Sequence, residues 1–309
     1  METFEIVFPM LFSGMVPLLI IFAIAAIIEG KNDMHKSNVI KHVYFYLVSL
    51  ITLVASVISL GFVLKVGLTS TVFSDAAAYE YATQPPALYL GNVDKSSDAS
   101  CDGECIYTED EIQQISQWKG EYTAWLENRD MDAREQSSLV SSLSVLIVAI
   151  PLFFIHFRSV QKEAKASDSE EHRRRVIRPT YFYLSSLIGL VMIIVFGSML
   201  VNLGLKTYVF TKADTEESYR YAPTEVDPSV RGSLSAVAGC EADCGFDAET
   251  IQYAERYDAD FDEWSETREG SSRKQSEAAN EIAFLLVAIP LFWYHWHVAR
   301  REGKESSSV

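Results

Sequence analysis

The chain has 309 residues, is 49% hydrophobic and carries a formal net charge of −16. Its apolar residues gather into long runs with the charge between them, which is the pattern of an integral membrane protein rather than of an evenly mixed soluble domain. No segment is both basic and aromatic, and so acidic a chain repels phosphate backbones, which excludes nucleic acid as a partner.

A spanning helix needs about 20 mostly apolar residues. In chain order, residues 9–28, 43–64, 139–155, 181–203 and 278–296 meet that requirement, and five transmembrane helices are expected. The first run follows Glu2 and Glu5 rather than a basic segment and ends in Ile27-Ile28-Glu29-Gly30 without a small-residue cleavage site, so it reads as a retained helix and not a signal peptide. Lys31, Lys36 and Lys41, then Arg158, Lys162, Lys165, Arg173, Arg174, Arg175 and Arg178, and finally Arg300, Arg301 and Lys304 fall on one side of five spans. Basic loops mark the cytoplasm, which gives a multi-pass plasma-membrane protein with its N-terminus outside and its C-terminus cytoplasmic. Two long acidic loops, 74–137 and 211–276, then lie outside.

Residues 44–73 and 181–210 resemble each other, both opening on YFYL, and Ala149-Ile150-Pro151-Leu152-Phe153 recurs as Ala288-Ile289-Pro290-Leu291-Phe292, with His156 matching His295. Between these helices Cys101 and Cys105 match Cys240 and Cys244. Ile112, Ile115, Trp118, Tyr122 and Trp125 match Ile251, Ala254, Tyr257, Phe261 and Trp264. Their spacing of three or four places them on one helical face, so each loop is expected to carry an amphipathic helix, starting near Glu109 and near Ala248. The expected fold is therefore all-α, with five spans, four of them from a parallel tandem repeat of a two-helix unit around a pseudo-two-fold axis, and two small disulfide-bearing helical outer loops. The corresponding organisation is a first helix and loop at 1–41, repeat one at 42–160, a basic linker at 161–178, repeat two at 179–299 and a tail at 300–309.

The YFYL entries and the AIPLFFIH and AIPLFWYH exits resemble a family of bacterial membrane proteins described only as a domain of unknown function. The resemblance covers the four repeated helices and not the first. It implies a membrane location and a repeat architecture, and it supplies no activity and no functional residues.

The four cysteines form two C-x-x-x-C pairs on the expected outer side, where an oxidising environment favours disulfides. Local pairs Cys101–Cys105 and Cys240–Cys244 are preferred over cross-repeat pairing or a four-cysteine metal site, and their short loops constrain little chain. His156 and His295, at equivalent helix ends, are possible haem or metal ligands. The plainer reading is that they belong to the interfacial belt with Phe153, Phe154, Phe157, Phe292, Trp293, Tyr294 and Trp296. Pro151 and Pro290 lie inside helices, where kinks shape a bundle or open a cavity. Lys65 and Glu281 are candidates for a pair, although snorkelling to the interface explains both. The run Tyr257-Asp258-Ala259-Asp260-Phe261-Asp262-Glu263 lacks EF-hand spacing and reads as a solvated helix face.

No P-loop, G-x-S-x-G, H-E-x-x-H or dinucleotide fingerprint occurs. The expectation is a non-enzymatic scaffold, accessory subunit or interaction protein of the cell envelope, embedded in the lipid bilayer, with a protein partner or a homo-oligomeric state. Trp118, Tyr122, Trp125, Tyr257, Phe261 and Trp264 are its expected interaction surface. No metal is expected. A transporter or channel, and a haem- or metal-binding redox protein, are the alternatives.

Overall fold

A computed structural model describes residues 36–90, 107–129, 131–166, 177–213, 225–239, 245–268 and 270–307. They form the helices α1 (Lys36–Thr71), α2 (Ser74–Tyr81), α3 (Glu109–Asn128), α4 (Met131–Ala166), α5 (Ile177–Tyr208), α6 (Pro228–Gly239), α7 (Ala248–Glu266) and α8 (Gly270–Ser307). Among the described residues there is no strand.

Four helices are long and apolar enough to cross a membrane, through Val43–Thr71, Met131–Ser159, Pro179–Tyr208 and Gly270–Arg301. A helix satisfies its own backbone polar groups, which hydrocarbon cannot do, so long apolar runs in a bilayer are helical. The chain is a multi-pass membrane protein. The expectation of five spans is corrected to four among the described residues, and residues 9–28 lie outside them. Pro151 and Pro290 sit inside α4 and α8 without ending either helix. Val140, Ile147, Val148 and Ile155 on α4 are exposed, as lipid-facing side chains are.

The described cysteine count is zero: Cys101, Cys105, Cys240 and Cys244 all lie outside the described residues, and no disulfide occurs among those described. The expectation of disulfide-stapled loops is corrected accordingly. The described loop residues are held together by an aromatic core and side-chain hydrogen bonds. The tandem repeat is corrected as well. The chain divides into two compact units, Met1–Val66 with Ser138–Leu200 and Asn280–Val309, and Gly67–Ser137 with Val201–Ala279. Each unit draws on both halves of the chain, so neither is a repeat.

The first, or membrane, unit is packed around Tyr46, Leu50, Tyr181, Phe182, Leu184 and Ala299, with a second cluster of Val57, Val287 and Leu291. Small residues let its helices approach closely. A Cβ on Gly189 would come within 2.8 Å of the Phe292 backbone nitrogen. Phe284 lies against Gly61 and stacks on Phe196 with ring centroids 4.5 Å apart.

The second unit holds 31 Asp and Glu against 12 Lys and Arg, a net of −19, whereas the rest of the chain holds 11 against 14, a net of +3. It is called the acidic unit below. Its helices start on good caps. Thr108 accepts from the Glu111 backbone N–H while the Glu111 carboxylate accepts from the Thr108 N–H at 2.8 Å, a reciprocal box that satisfies two otherwise open donors. Asp247 caps α7 by accepting from the Thr250 N–H at 2.9 Å. Glu109 and Asp110 add negative charge where the α3 dipole favours it. The side chains of Gln275 and Asp75 and those of Ser276 and Glu80 pair the start of α8 with α2 at 2.8 and 2.6 Å.

Candidate functional site

The aromatic stripes of α3 and α7 face inward. Trp118, Tyr122, Tyr257 and Phe261 are at most 3% exposed, and Trp125 and Trp264 are half-buried against them. Together with Ile115, Val230, Leu234, Val237 and Ile251 they form the core of the acidic unit, not its surface. Burial of large rings drives this packing, at roughly 2–3 kcal/mol for each fully buried side chain. The Tyr122 ring lies 4.8 Å from that of Tyr253 and 5.3 Å from that of Trp118. Ile112, at the start of the α3 stripe, is exposed.

Around this core the chain between Ala82 and Leu90 runs without regular structure. Pro85 and Pro86 have no N–H to give a helix or a strand. The carbonyls of this segment are instead taken up by side chains. Arg134 donates to Tyr81, Arg268 to Ala82 at 2.9 Å, Trp125 to Thr83 at 2.9 Å, Tyr257 to Pro85 at 3.4 Å and Trp118 to Pro86 at 2.8 Å. Leu90 donates its N–H to the Ser233 hydroxyl at 3.1 Å. The stripe residues thus have a second task. They bury their rings and tie down this strap through their polar edges.

Asp260, only 4% exposed, is the charged group at the centre. It accepts from the Tyr122 hydroxyl and from Arg256 at 2.9 Å, and Arg129 stands 3.7 Å away. A buried carboxylate is tolerable only when paired and hydrogen-bonded in this way. Toward the start of α7, Lys119 pairs with Asp247 and with Glu249, the latter at 2.8 Å. Lys119 meets the beginning of α7 and Arg129, just past α3, meets Asp260 and Glu263 further along, so α3 and α7 run parallel. Parallel helices bring like dipole ends together, and these ion pairs offset that repulsion.

The protonation of these groups follows from their partners. Hydrogen bonds from Lys119 hold the Asp247 and Glu249 carboxyls below the usual range and raise Lys119 in return. Burial pushes the Tyr107 and Tyr257 phenols up to about 12, and burial with the bond to Asp260 pushes Tyr122 higher still. Every one of these shifts belongs to a group that packs or ties the unit together. Among the described residues no cluster of His, Cys, Asp and Glu is arranged to hold a metal ion.

In the membrane unit, both histidines turn Nδ1 toward the carbonyl one turn earlier, His156 to Leu152 at 2.7 Å and His295 to Leu291 at 2.8 Å. His295 is buried, with its ring 5.9 Å from Phe182 and 6.1 Å from Tyr181, whereas half-buried His156 lies 5.9 Å from Tyr44 and 5.8 Å from Phe45. Each has its own aromatic neighbours. Glu281 is buried within the protein rather than extended at its surface. It is 2% exposed, with the Asn280 amide 3.4 Å from its carboxylate.

The sequence reading missed Asp260, because its acidic surroundings look solvated. The signal was present in the spacing: Tyr253, Tyr257 and Asp260 are separated by four and three, which puts the carboxylate on the buried stripe.

The chain is similar, over residues 121–223, to a domain of unknown function, DUF5671. The match runs once, from within α3 through α5, and so does not follow the expected repeat units. No curated protein and no solved structure matches the chain.

Proposed function

We propose that the chain is a non-enzymatic membrane scaffold or accessory subunit that presents the acidic unit outside the cell to a protein partner. The observation that carries this reading is how the acidic unit uses its buried and ion-paired groups. Asp260, Tyr122, Lys119, Asp247 and Glu249 are all engaged in packing and pairing, with none left to act on a substrate. The surface offered to a partner is the charged exterior, not the aromatic stripe, and a net of −19 favours a partner with a basic face. The orientation rests on the basic segments around Lys41, Arg158 to Arg178 and Arg300 to Lys304, which lie on the cytoplasmic side by their charge.

The test is mild cross-linking of the protein in native membranes followed by purification. A partner that cross-links to the acidic unit and is released by raised salt is the expected result. A lone protein under those conditions, or selective ion flux in liposomes abolished by Glu281→Gln, overturns the reading, the latter in favour of transport through the membrane unit.

A further inference from the structure

We propose that the end of the membrane unit where α1 begins and α4 finishes binds the headgroup of an anionic phospholipid, held by Lys41 and Tyr44 against the rings of Phe45 and His156. Tyr44 and Phe45 follow Lys41 by three and four residues, so the three share one face of α1. The Lys41 ammonium stands over the Phe45 ring, 5.8 Å from its centroid. Across from them on α4, the His156 ring lies 5.8 Å from Phe45 and 5.9 Å from Tyr44. An ammonium, a phenol and an imidazole are thus gathered around one phenylalanine ring.

Their depth is that of lipid headgroups. The two spans run through Val43–Thr71 and Met131–Ser159. Lys41 stands just before the first of these, and His156 lies in the last turn of the second. A lysine in that position lays its stem along apolar surface and leaves its ammonium at the level of the phosphates.

A triad of the same ring types sits between α5 and α8, and the contrast shows what is open in the first. Phe182 and Tyr181 lie 5.9 and 6.1 Å from His295. That triad is sealed by protein: Tyr181 is 0%, Phe182 4% and His295 5% exposed, and Tyr46 and Phe157 meet the Tyr181 ring at 5.5 and 6.0 Å. Between α1 and α4, in contrast, Tyr44 is 54% exposed, Lys41 is exposed, and Phe45 and His156 are half-buried.

Charge selects the occupant of this open face. α1 holds no Asp or Glu over its whole length, and on α4 Arg158 and Lys162 follow His156 before the next carboxylate, Glu163. A zwitterionic headgroup brings no net charge to such a place, whereas an anionic one does. The Lys41 ammonium takes the phosphate, and the Tyr44 hydroxyl donates to an oxygen of the same lipid. His156 gives its Nδ1 proton to the Leu152 carbonyl at 2.7 Å, which fixes its ring as part of the floor.

The test counts lipids on the intact protein by native mass spectrometry. The protein is purified in a neutral detergent and titrated with phosphatidylglycerol or with phosphatidylcholine of the same acyl chains. The expected result is a bound phosphatidylglycerol that phosphatidylcholine does not replace. Lys41→Gln should weaken its affinity about fivefold or more, and Lys41→Arg should restore it. Arg301→Gln, the same loss of charge at an exposed site on α8, should leave the affinity nearly unchanged. Equal retention of the two lipids, or equal losses for the Lys41 and Arg301 variants, overturns the proposal. So does release of the lipid by inorganic phosphate alone, which would make this a site for a free anion. Binding unchanged in Lys41→Gln also overturns it, and is the result expected if residues 1–35 of the chain cover this face. Should Lys41→Gln fail to fold, the wild type decides: raised salt must release phosphatidylglycerol, and retention indifferent to salt sinks the idea.

Discussion

In the acidic unit, the buried carboxylate of Asp260 is bonded to a phenol and an arginine. In the membrane unit, the buried Ser49 hydroxyl has no hydrogen-bond partner among the described residues. The first unit draws its partners from charged side chains because water lies around it, and Arg256 and Arg129 keep their far ends half-solvated while neutralising the carboxylate. The second unit cannot do so, since a guanidinium carried into hydrocarbon costs more than the hydroxyl it would satisfy. Packing differs in the same direction. The acidic unit is filled with large rings whose polar edges are bonded, whereas the membrane unit brings helices together at glycines and small residues.

The largest effect expected from this contrast is at Asp260. Asp260→Ala leaves the Tyr122 hydroxyl buried without an acceptor and should destabilise the acidic unit by about 3 kcal/mol, read from the urea midpoint of its unfolding by near-ultraviolet circular dichroism. Arg256→Met should cost far less, because that side chain is exposed and Arg129 still faces the carboxylate. Equal losses for the two variants would erase the distinction drawn between a buried anchor and its solvated partner.

Next in size is Gly189→Ala. The added methyl meets the Phe292 backbone, which cannot rotate away, and should cost about 2 kcal/mol in the membrane unit while leaving the acidic unit's circular dichroism unchanged. A wild-type melting profile would show that α5 and α8 do not pack as closely as described.

The smallest and broadest effect is that of pH. Asp247 and Glu249 have depressed pKa values, so the stability they confer is present above the ordinary carboxylate range and is lost as pH falls below about 4. The raised phenols of Tyr107 and Tyr257, and raised Lys119, act oppositely: their contribution is full below about pH 10 and fades as pH climbs toward 12. Urea midpoints of the acidic unit should therefore form a plateau with falls at both ends, and Lys119→Met should flatten the acid side. An acid limb unchanged in that variant would sever the link between Lys119 and the two carboxylates.

Much of the fold was legible because its causes are local. The spans are long apolar runs. The starts of α3 and α7 are marked by Thr108 with Glu111 and by Asp247, whose side chains cap their own helices. The inward stripe could be read as a face but not as a core, since spacing shows that residues share a side and not what covers it. For Trp118 and Tyr122 the cover is α7, far away in the chain. The strap at 82–90 was illegible for a related reason. Pro85 and Pro86 rule out regular structure, but nothing near them names the side chains that take up its carbonyls. The five-span and disulfide expectations drew on residues 9–28 and on the four cysteines, which are not among the described residues.

Those strap bonds also set an order of events during synthesis. Trp118 and Pro86 are 32 residues apart, Tyr257 and Pro85 are 172 apart, and Arg268 and Ala82 are 186 apart. A contact cannot form before its later residue leaves the ribosome, and chain closure over such separations is slow. Three of the four spans among the described residues precede Arg268 in the chain. The acidic unit must therefore wait, with its aromatic stripes uncovered, until those spans have been made and the last is about to follow.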